Sequence, residues 1–174
     1  MVTRSRGLER ALLAGLPLGE IVATASVPVG LLDAEVNARP AAPYGTGQET
    51  AHGTAALAVA RRIYRAREER LGTYWWRVLR AAGATPPGLL WTAPGPGHVG
   101  ALVEWNTAQA APPEVFETAA RQVELRGDTL LNAHADGQGA LAALEALGIR
   151  MADVARTLEA AELDRLRREW RPRP

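Results

Sequence analysis

The reactive side chains of this sequence limit the chemistry that it can perform. The 174 residues contain no cysteine, and all 20 basic residues are arginine, so lysine is absent as well. Without cysteine there is no disulfide, thiol nucleophile or thiolate metal site. Without lysine these residues cannot form a Schiff base with a carbonyl substrate.

The three histidines do not form a recognisable metal or catalytic motif. His52, His98 and His134 are far apart and fit neither HxxxH nor HExxH spacing, so they predict no metal site. Glu104 is near enough in sequence to His98 for an acid/base pair, but no predicted element holds the two side chains together. We therefore expect both on the surface, and we expect no catalytic residue, no metal and no cofactor.

A loop rich in glycine and proline, Ala93–Gly97, follows an apolar segment. Backbone amides of such loops can cradle a phosphate group. Two of its five residues are prolines, which have no amide donor, and the loop lacks the Gly-Lys-Ser/Thr ending of a phosphate-binding loop. The pattern favours a plain turn.

The C-terminal tail is basic and contains one aromatic residue, Trp170. Its arginines are residues 165, 167, 168, 171 and 173. Such a tail could contact nucleic acid or an anionic surface. Cations also suit the C-terminus of a helix because of the helix dipole. We interpret the tail as a solvated helix end.

Overall composition is that of a globular protein. Hydrophobic residues make up 47%, charged residues 22%, and the net charge is +1, which argues against a dedicated nucleic-acid or membrane surface. No run of about 18 uninterrupted apolar residues occurs, so no transmembrane helix is predicted. Glu9 and Pro17 interrupt any signal-peptide core. We expect a cytoplasmic protein.

The segment from Thr54 to Thr92 predicts a helix, a second helix and a strand. In the first helix an apolar stripe faces a core, the arginines including Arg67 face solvent, and Gly72 ends the helix. In the second, residues 74–82, Trp75 and Leu79 point inward. The apolar run 88–92 is typical of a strand covered on both faces.

The remaining segments predict further helices and two more strands. Strands are expected at 21–26 and, less distinctly, within 101–110, and a loop at 39–50. Helices are expected at 7–14, 31–38, 114–124, from a cap at Asp136 to 147, and over 149–170 with Leu163 and Leu166 inward. Helices leading into buried strands indicate the α/β class.

An ordered series of short segments extends from about Leu8 to Trp170. It comprises Ala25-Ser26, Asp33–Val36, Gly53–Ala58, Ala82–Ala84, Leu90-Trp91, Arg126–Thr129, Leu147–Ile149 and Leu158-Glu159. In this order and with these spacings, the series resembles the last three strands and the C-terminal helices of the transaldolase family.

The resemblance implies a helix-rich, partial (β/α) barrel of the TIM type. Residues 1–174 would form a single domain: about 1–45 the region of strand 6, 46–100 the helices and strand 7, and 101–174 the region of strand 8 with the C-terminal helices. A complete barrel of this type has eight strands and about 250 residues.

The resemblance also implies which site residues are kept. After the Ala-Ser of strand 6 the family has aromatic residues and then an arginine that holds the substrate phosphate; this chain has Val27, Pro28 and Leu31 there. After strand 7 the family has a Ser-Thr-Gly loop with a basic residue, and this chain has Ala93–Gly97. Ser26 is the retained candidate for substrate binding. The family's lysine and acid/base carboxylates lie on earlier strands that this chain does not match.

Three functions remain open from the sequence. The chain is a transaldolase-like protein of pentose-phosphate type ancestry that is not catalytic alone, or it is the C-terminal subunit of a composite transaldolase-like transferase whose partner supplies the lysine. A third alternative is a protein- or nucleic-acid-binding module that uses the arginine tail. Expected partners are a second copy, through tryptophans such as Trp75, Trp76 or Trp105, or a complementary half-barrel; a sugar phosphate is a possible ligand. We expect neither membrane nor nucleic-acid binding.

Overall fold

A three-stranded parallel sheet organises the molecule. The computed structural model describes residues 2–39, 54–131 and 133–170. The strands are β1 (Thr24–Pro28), β2 (Gly88–Thr92) and β3 (Thr107–Ala110), and they lie in the sheet in chain order. Both neighbouring pairs are parallel. This confirms the predicted α/β class and the partial (β/α) arrangement with about three strands.

Helices make up most of the rest of the described chain. None of those among the described residues is both long and apolar enough to cross a membrane. The helices are α1 (Val2–Leu13), a 3-10 turn (Leu18–Glu20), α2 (Val29–Asn37), α3 (Ala55–Leu71), α4 (Tyr74–Ala81), α5 (Pro96–Val99), α6 (Pro113–Gln122), α7 (His134–Ala146) and α8 (Met151–Glu169).

The main core lies between one face of the sheet and the helices. Val27, Leu89 and Trp91 alternate with less buried residues along β1 and β2 and point toward this core. The other members of the cluster come from α2, α3, α7, α8 and their flanking segments: Val29, Leu32, Val36, Ala55, Ala56, Ala60, Tyr64, Leu102, Leu130, Leu144, Ile149 and Val154.

A second, smaller core joins α1, the 3-10 turn and α4. Leu8, Leu18, Trp76 and Leu79 are its largest buried residues. The expectation that Trp75 points inward is wrong: it is 45% exposed, and its Nε1 donates a hydrogen bond to Glu9 Oε1. The neighbouring Trp76 is the one that packs from α4 against α1.

The first strand begins later than the sequence predicts. The expected range is 21–26, but a 3-10 turn occupies Leu18–Glu20, and the Ile21 amide donates a hydrogen bond to the Leu18 carbonyl of this turn. The strand then runs to Pro28. A proline is compatible with a strand at the edge of a sheet because its missing amide is not needed there. By contrast, the range predicted for β2 is confirmed. Within 101–110, where a further strand is expected, only Thr107–Ala110 form one, which is β3.

Arg67 is buried, although the helical pattern predicted it in solvent. It is 0% exposed and lies near the rings of Tyr64 and Trp105, 5.6 and 5.0 Å from their centroids. Its Nε donates to the Pro87 carbonyl at 2.9 Å, and its Nη1 is paired with Glu68. Stacking on aromatic rings and these hydrogen bonds replace part of the water that the guanidinium loses. Its Nη2 is buried and has no hydrogen-bond partner among the described residues.

The last helix extends beyond the core. Leu163 and Leu166 are exposed, not inward as predicted, because only the first half of α8 packs against α2 and the sheet layer. Asp136 is also not a cap: α7 begins at His134, with Ala133 as its N-cap residue. The loop expected at 39–50 falls, from residue 40 onward, outside the described residues.

Candidate functional site

The sheet face that points away from the helices has no covering layer among the described residues. Ser26, Leu90 and Ala108 stand side by side on this face, in register across the three strands. Ser26 and Ala108 are exposed and Leu90 is half-buried. Among the described residues β2 is covered fully on one face only, which differs from the expectation of cover on both faces. In a (β/α) barrel this face would point to the interior.

A cavity of about 990 Å³ opens at the carboxyl ends of β1 and β2. The strands contribute Ser26, Val27, Pro28 and Thr92, and helices α2, α3 and α8 contribute the remaining lining residues. Ser26, the predicted substrate-binding residue, therefore lies at a cavity. Its hydroxyl makes no hydrogen bond with the residues that the structure describes.

Leu31 lies on the same cavity wall as Ser26. It is half exposed and offers only carbon atoms at the position where the resemblance would place a phosphate-binding arginine. An aliphatic side chain cannot make the bidentate contact by which arginine holds phosphate. The cavity thus keeps a hydroxyl from Ser26 but has no cation on α2.

Two arginines of α8 also line the cavity, Arg165 and Arg168. Arg165 is paired with Glu162 and, at 2.8 Å, with Glu169, and hydrogen bonds to these carboxylates raise its pKa above the ordinary value. Arg168 has no carboxylate partner within the described part of the chain. The spacing of Glu162, Arg165 and Glu169 could have predicted the pairing. By contrast, only the fold shows that Arg165 and Arg168 line the same cavity as β1.

A histidine–aspartate pair ties the carboxyl ends of β1 and β2 together. Asp33 is a residue of α2, and its Oδ2 atom lies 2.9 Å from His98 Nε2. Its Oδ1 atom accepts a hydrogen bond from the Ala56 amide at 2.8 Å. His98 Nδ1 accepts a hydrogen bond from the Gly95 amide at 3.0 Å. Because Nδ1 is an acceptor, Nε2 carries the proton and donates to Asp33.

This pair connects α2 to the backbone of two other segments, at Ala56 and at Gly95. Both nitrogens of His98 and both oxygens of Asp33 already have partners, so neither group is available to a substrate. The expectation that His98 lies on the surface is wrong. The sequence alone does not predict the contact between His98 and Asp33, because the two residues are 65 positions apart. Glu104 instead accepts hydrogen bonds from the amides of Trp105 and Leu131.

The Ala93–Gly97 loop is held tightly against α2. Ala93 has a positive φ of 52° and donates its amide to the Ala110 carbonyl at 3.0 Å. A Cβ atom on Gly30 would lie 1.9 Å from the Ala93 carbonyl oxygen, so only glycine allows this approach. The predicted turn is shorter than expected because α5 already begins at Pro96.

The described residues do not assemble a metal centre. They contain no group of three or more histidine, aspartate or glutamate side chains that could hold a metal ion. His52 and the tail residues Arg171 and Arg173 lie outside the described residues, and His134 is the first residue of α7. The arrangement offers an open sheet face and a cavity, which are features for binding.

Comparison with known proteins gives a consistent set of relatives. No protein-family model matches the chain. The transaldolase of Acidothermus cellulolyticus is 34% identical over 172 residues, which cover 94% of this chain and 46% of that protein. The transaldolases of Parafrankia sp. and Thermobifida fusca are 33% and 32% identical over the same length and share of this chain, with 47% of each relative covered.

The chain spans about half the length of the curated relatives that it matches. Its helix-rich structure with three adjacent parallel strands is what a segment of a (β/α) barrel contains. Over nearly its whole length, this chain is similar to the C-terminal part of the transaldolase family.

Proposed function

We propose that these residues act as the C-terminal part of a transaldolase-like (β/α) barrel and do not catalyse the transaldolase reaction by themselves. The observation that carries the proposal is the uncovered row of Ser26, Leu90 and Ala108 on the sheet. In a closed barrel, inward side chains of this kind stack in layers contributed by all strands. Further strands are needed to bury them.

The outer strands support the same proposal. Among the described residues, β1 and β3 each pair with β2 and have no strand on their other side. An exposed strand edge offers unpaired amides and carbonyls to another strand. Because the relatives are about twice as long as this chain, we propose that the complementary strands come from residues outside these 174, on the same or on a separate polypeptide.

The chain's own residues do not provide the groups for imine chemistry. There is no lysine to form the imine, and the Asp33–His98 pair is fully engaged. The nucleophile would therefore come from the complementary part. Ser26 would line the site at the carboxyl ends of the strands, where active sites of (β/α) barrels lie.

A second candidate is a non-catalytic relative that binds a metabolite. Leu31 favours this second candidate, because its side chain lines the cavity and has no charge that could bind the phosphate of a sugar phosphate. Loss of a charge-assisted bidentate contact weakens binding by about 1.5–3 kcal/mol. A complete barrel built with this chain would then bind sugar phosphates poorly even if it formed the imine.

Borohydride trapping tests the proposal. The purified chain, incubated with fructose 6-phosphate and sodium borohydride, should give no covalent adduct by mass spectrometry. A chimera that joins the N-terminal part of the Acidothermus cellulolyticus transaldolase to residues 1–174 should fold and be trapped on a lysine of that N-terminal part. The intact relative is the positive control.

The chimera also separates the two candidates. Leu31→Arg in the chimera should tighten sugar-phosphate binding roughly 10- to 100-fold, as expected for a restored charged contact. A chimera that folds but gives no adduct, with or without this substitution, would favour the non-catalytic candidate. An adduct on the isolated chain would contradict both.

In isolation we expect the chain to associate, most simply as a two-fold homodimer. The uncovered sheet face and the exposed Trp75 and Trp105 are the contacts that we propose, since large exposed apolar surfaces usually mark interfaces. Trp76 is buried and is not available. Sedimentation at micromolar concentration should show a dimer; a strictly monomeric chain with high thermal stability would contradict this.

A further inference from the structure

We propose that the cavity at the carboxyl ends of β1 and β2 binds an aliphatic monocarboxylate of about ten to twelve carbons. Its carboxylate would lie at Arg168 and its chain against the apolar walls. This assignment rests on the proposed function, because it places the ligand where a (β/α) barrel binds its substrate. It names a ligand class for that site which differs from a sugar phosphate.

Most of the cavity wall is apolar. Its aliphatic side chains come from all three lining helices: Leu31 and Leu32 of α2, Val59 and Ile63 of α3, and Leu158 of α8. The volume of about 990 Å³ is at the upper end of the range of about 300–1,000 Å³ that ligand pockets have. A sugar would leave many of its hydroxyl groups without hydrogen-bond partners against these walls, which is unfavourable for each group. An aliphatic chain has no such groups.

The polar groups of the lining suit one anionic group. Arg165 is already paired with Glu162, whereas Arg168 has no carboxylate partner among the described residues. Ser26 and Thr92 add two hydroxyl groups, which make no hydrogen bond within the described part of the chain. A carboxylate only accepts hydrogen bonds, so a guanidinium and hydroxyl groups are matching donors. The cavity therefore combines an apolar wall with donors for a single carboxylate.

The remaining charged residue of the lining, Glu159, disfavours a second anionic group. It is exposed and has no ion-pair partner among the described residues. Its separation from Arg168 is nine positions of α8, or about 14 Å along a helix. An extended chain advances about 1.2 Å per bond, so a chain of about twelve carbons has a similar length. A dicarboxylate bound at Arg168 would bring its second charge to the apolar wall or near Glu159, and both positions are unfavourable.

Titration calorimetry of the 174-residue chain at neutral pH tests the proposal with octanoate, decanoate and dodecanoate, each below the concentration at which it forms micelles. One carboxylate should bind per chain. Each added methylene group should tighten binding about three- to fourfold, because it removes more apolar area from water. Two ligands of equal length, the cation decylamine and the dicarboxylate decanedioate, should each bind at least tenfold more weakly than decanoate.

Two matched pairs of variants on α8 locate the site. Arg168→Gln should weaken decanoate binding about three- to tenfold, whereas Arg167→Gln, at a neighbouring arginine outside the lining, should change it less than twofold. Ala161→Trp places an indole ring in the cavity and should weaken binding at least fivefold; Ala160→Trp, one residue earlier and outside the lining, should not. All four positions are exposed, so the fold should tolerate each substitution, which circular dichroism checks.

NMR distinguishes the cavity from the open face of the sheet. Chemical-shift changes caused by decanoate should centre on Ser26, Thr92 and the lining residues of α8. Changes centred on Leu90 and Ala108 would show adsorption to the open face and overturn the proposal, as would equal binding of decylamine.

Fructose 6-phosphate binding that Arg168→Gln abolishes would also overturn it, in favour of a sugar-phosphate site. No binding of decanoate at millimolar concentration, while the chimera is trapped on its lysine, would overturn the ligand class and leave the proposed function intact. Binding of one decanoate per chain, together with a folded chimera that gives no adduct, would favour the non-catalytic candidate and leave the ligand class intact.

Discussion

The two faces of the sheet differ in burial, and the difference is clearest along β2, which is apolar on both faces. On β2, Leu89 and Trp91 point to the helices and are 1% and 0% exposed, whereas Leu90 between them is only half-buried. On the helix side, side chains from four helices meet the sheet. The helix layer of a barrel segment is thus formed within the described residues, and its interior layer is not. Burial here depends on which layer the chain supplies, not on residue type.

A matched pair of leucine substitutions gives the largest expected effect. Leu89→Ala removes a fully buried side chain from the helix-side core and should lower the free energy of unfolding by about 2–5 kcal/mol. Leu90→Ala, one residue further along, should lower it by less than about 1.5 kcal/mol, since less apolar area returns to water. Urea unfolding monitored by circular dichroism measures both variants.

The same pair reports on association. If the isolated chain forms a dimer that covers the open face, the effect of Leu90→Ala should grow with protein concentration, because dimer stability is linked to concentration. Equal effects of the two substitutions at the lowest concentration would mean that the sheet is covered on both sides within one chain. That result would contradict the difference between the faces.

Local patterns predicted the elements but not every boundary. The apolar run of β2 and the helix that ends at Gly72 follow from periodicity and stop signals, and both are found. The start of β1 was missed because a 3-10 turn at Leu18–Glu20 competes for the same apolar residues. Arg67 was misplaced because its burial depends on Trp105, which is distant in sequence and meets it only in the folded chain.

The candidate site shows the same limit. Ser26 and Leu31 could be singled out by their resemblance to positions of a known family, and both line one cavity. Asp33, His98 and Arg168 could not, because their meaning depends on contacts between distant elements. Side chains that act through tertiary contacts leave no pattern in a single sequence.

The helix-side core should also make stability depend on alkaline pH through Tyr64. Burial, followed by the nearby carboxylates of Glu68 and Glu104, raises the pKa of Tyr64 from 10.0 to about 12. The neutral phenol is therefore favoured in the fold. Its contribution is fully present below pH 10 and is lost as the pH rises to about 12. A shift of this size is worth about 2–3 kcal/mol.

Tyr64→Phe should flatten the loss of stability between pH 10 and 12. Tyr74→Phe is the matched control, because the same substitution is then made at a tyrosine that is 74% exposed. Unfolding by urea at several pH values, with absorbance at 295 nm to follow the phenolate, provides the measurement. Identical pH profiles for the two variants would show that the Tyr64 phenol is accessible to water and that burial does not raise its pKa.

The smallest effect on the isolated chain is expected on the open face. Ala108 is exposed in the row with Ser26 and Leu90, so Ala108→Asp should change the unfolding free energy of the monomeric chain by less than about 0.5 kcal/mol. In a closed barrel the same carboxylate would be buried without a partner, which is strongly unfavourable. The chimera carrying Ala108→Asp should therefore fail to fold or melt far lower, and Ala108→Ser serves as the control of similar size. If Ala108→Asp destabilises chain and chimera equally, the face is already closed within these residues. If it affects neither, the complementary strands do not bury this row, and the proposed barrel is wrong.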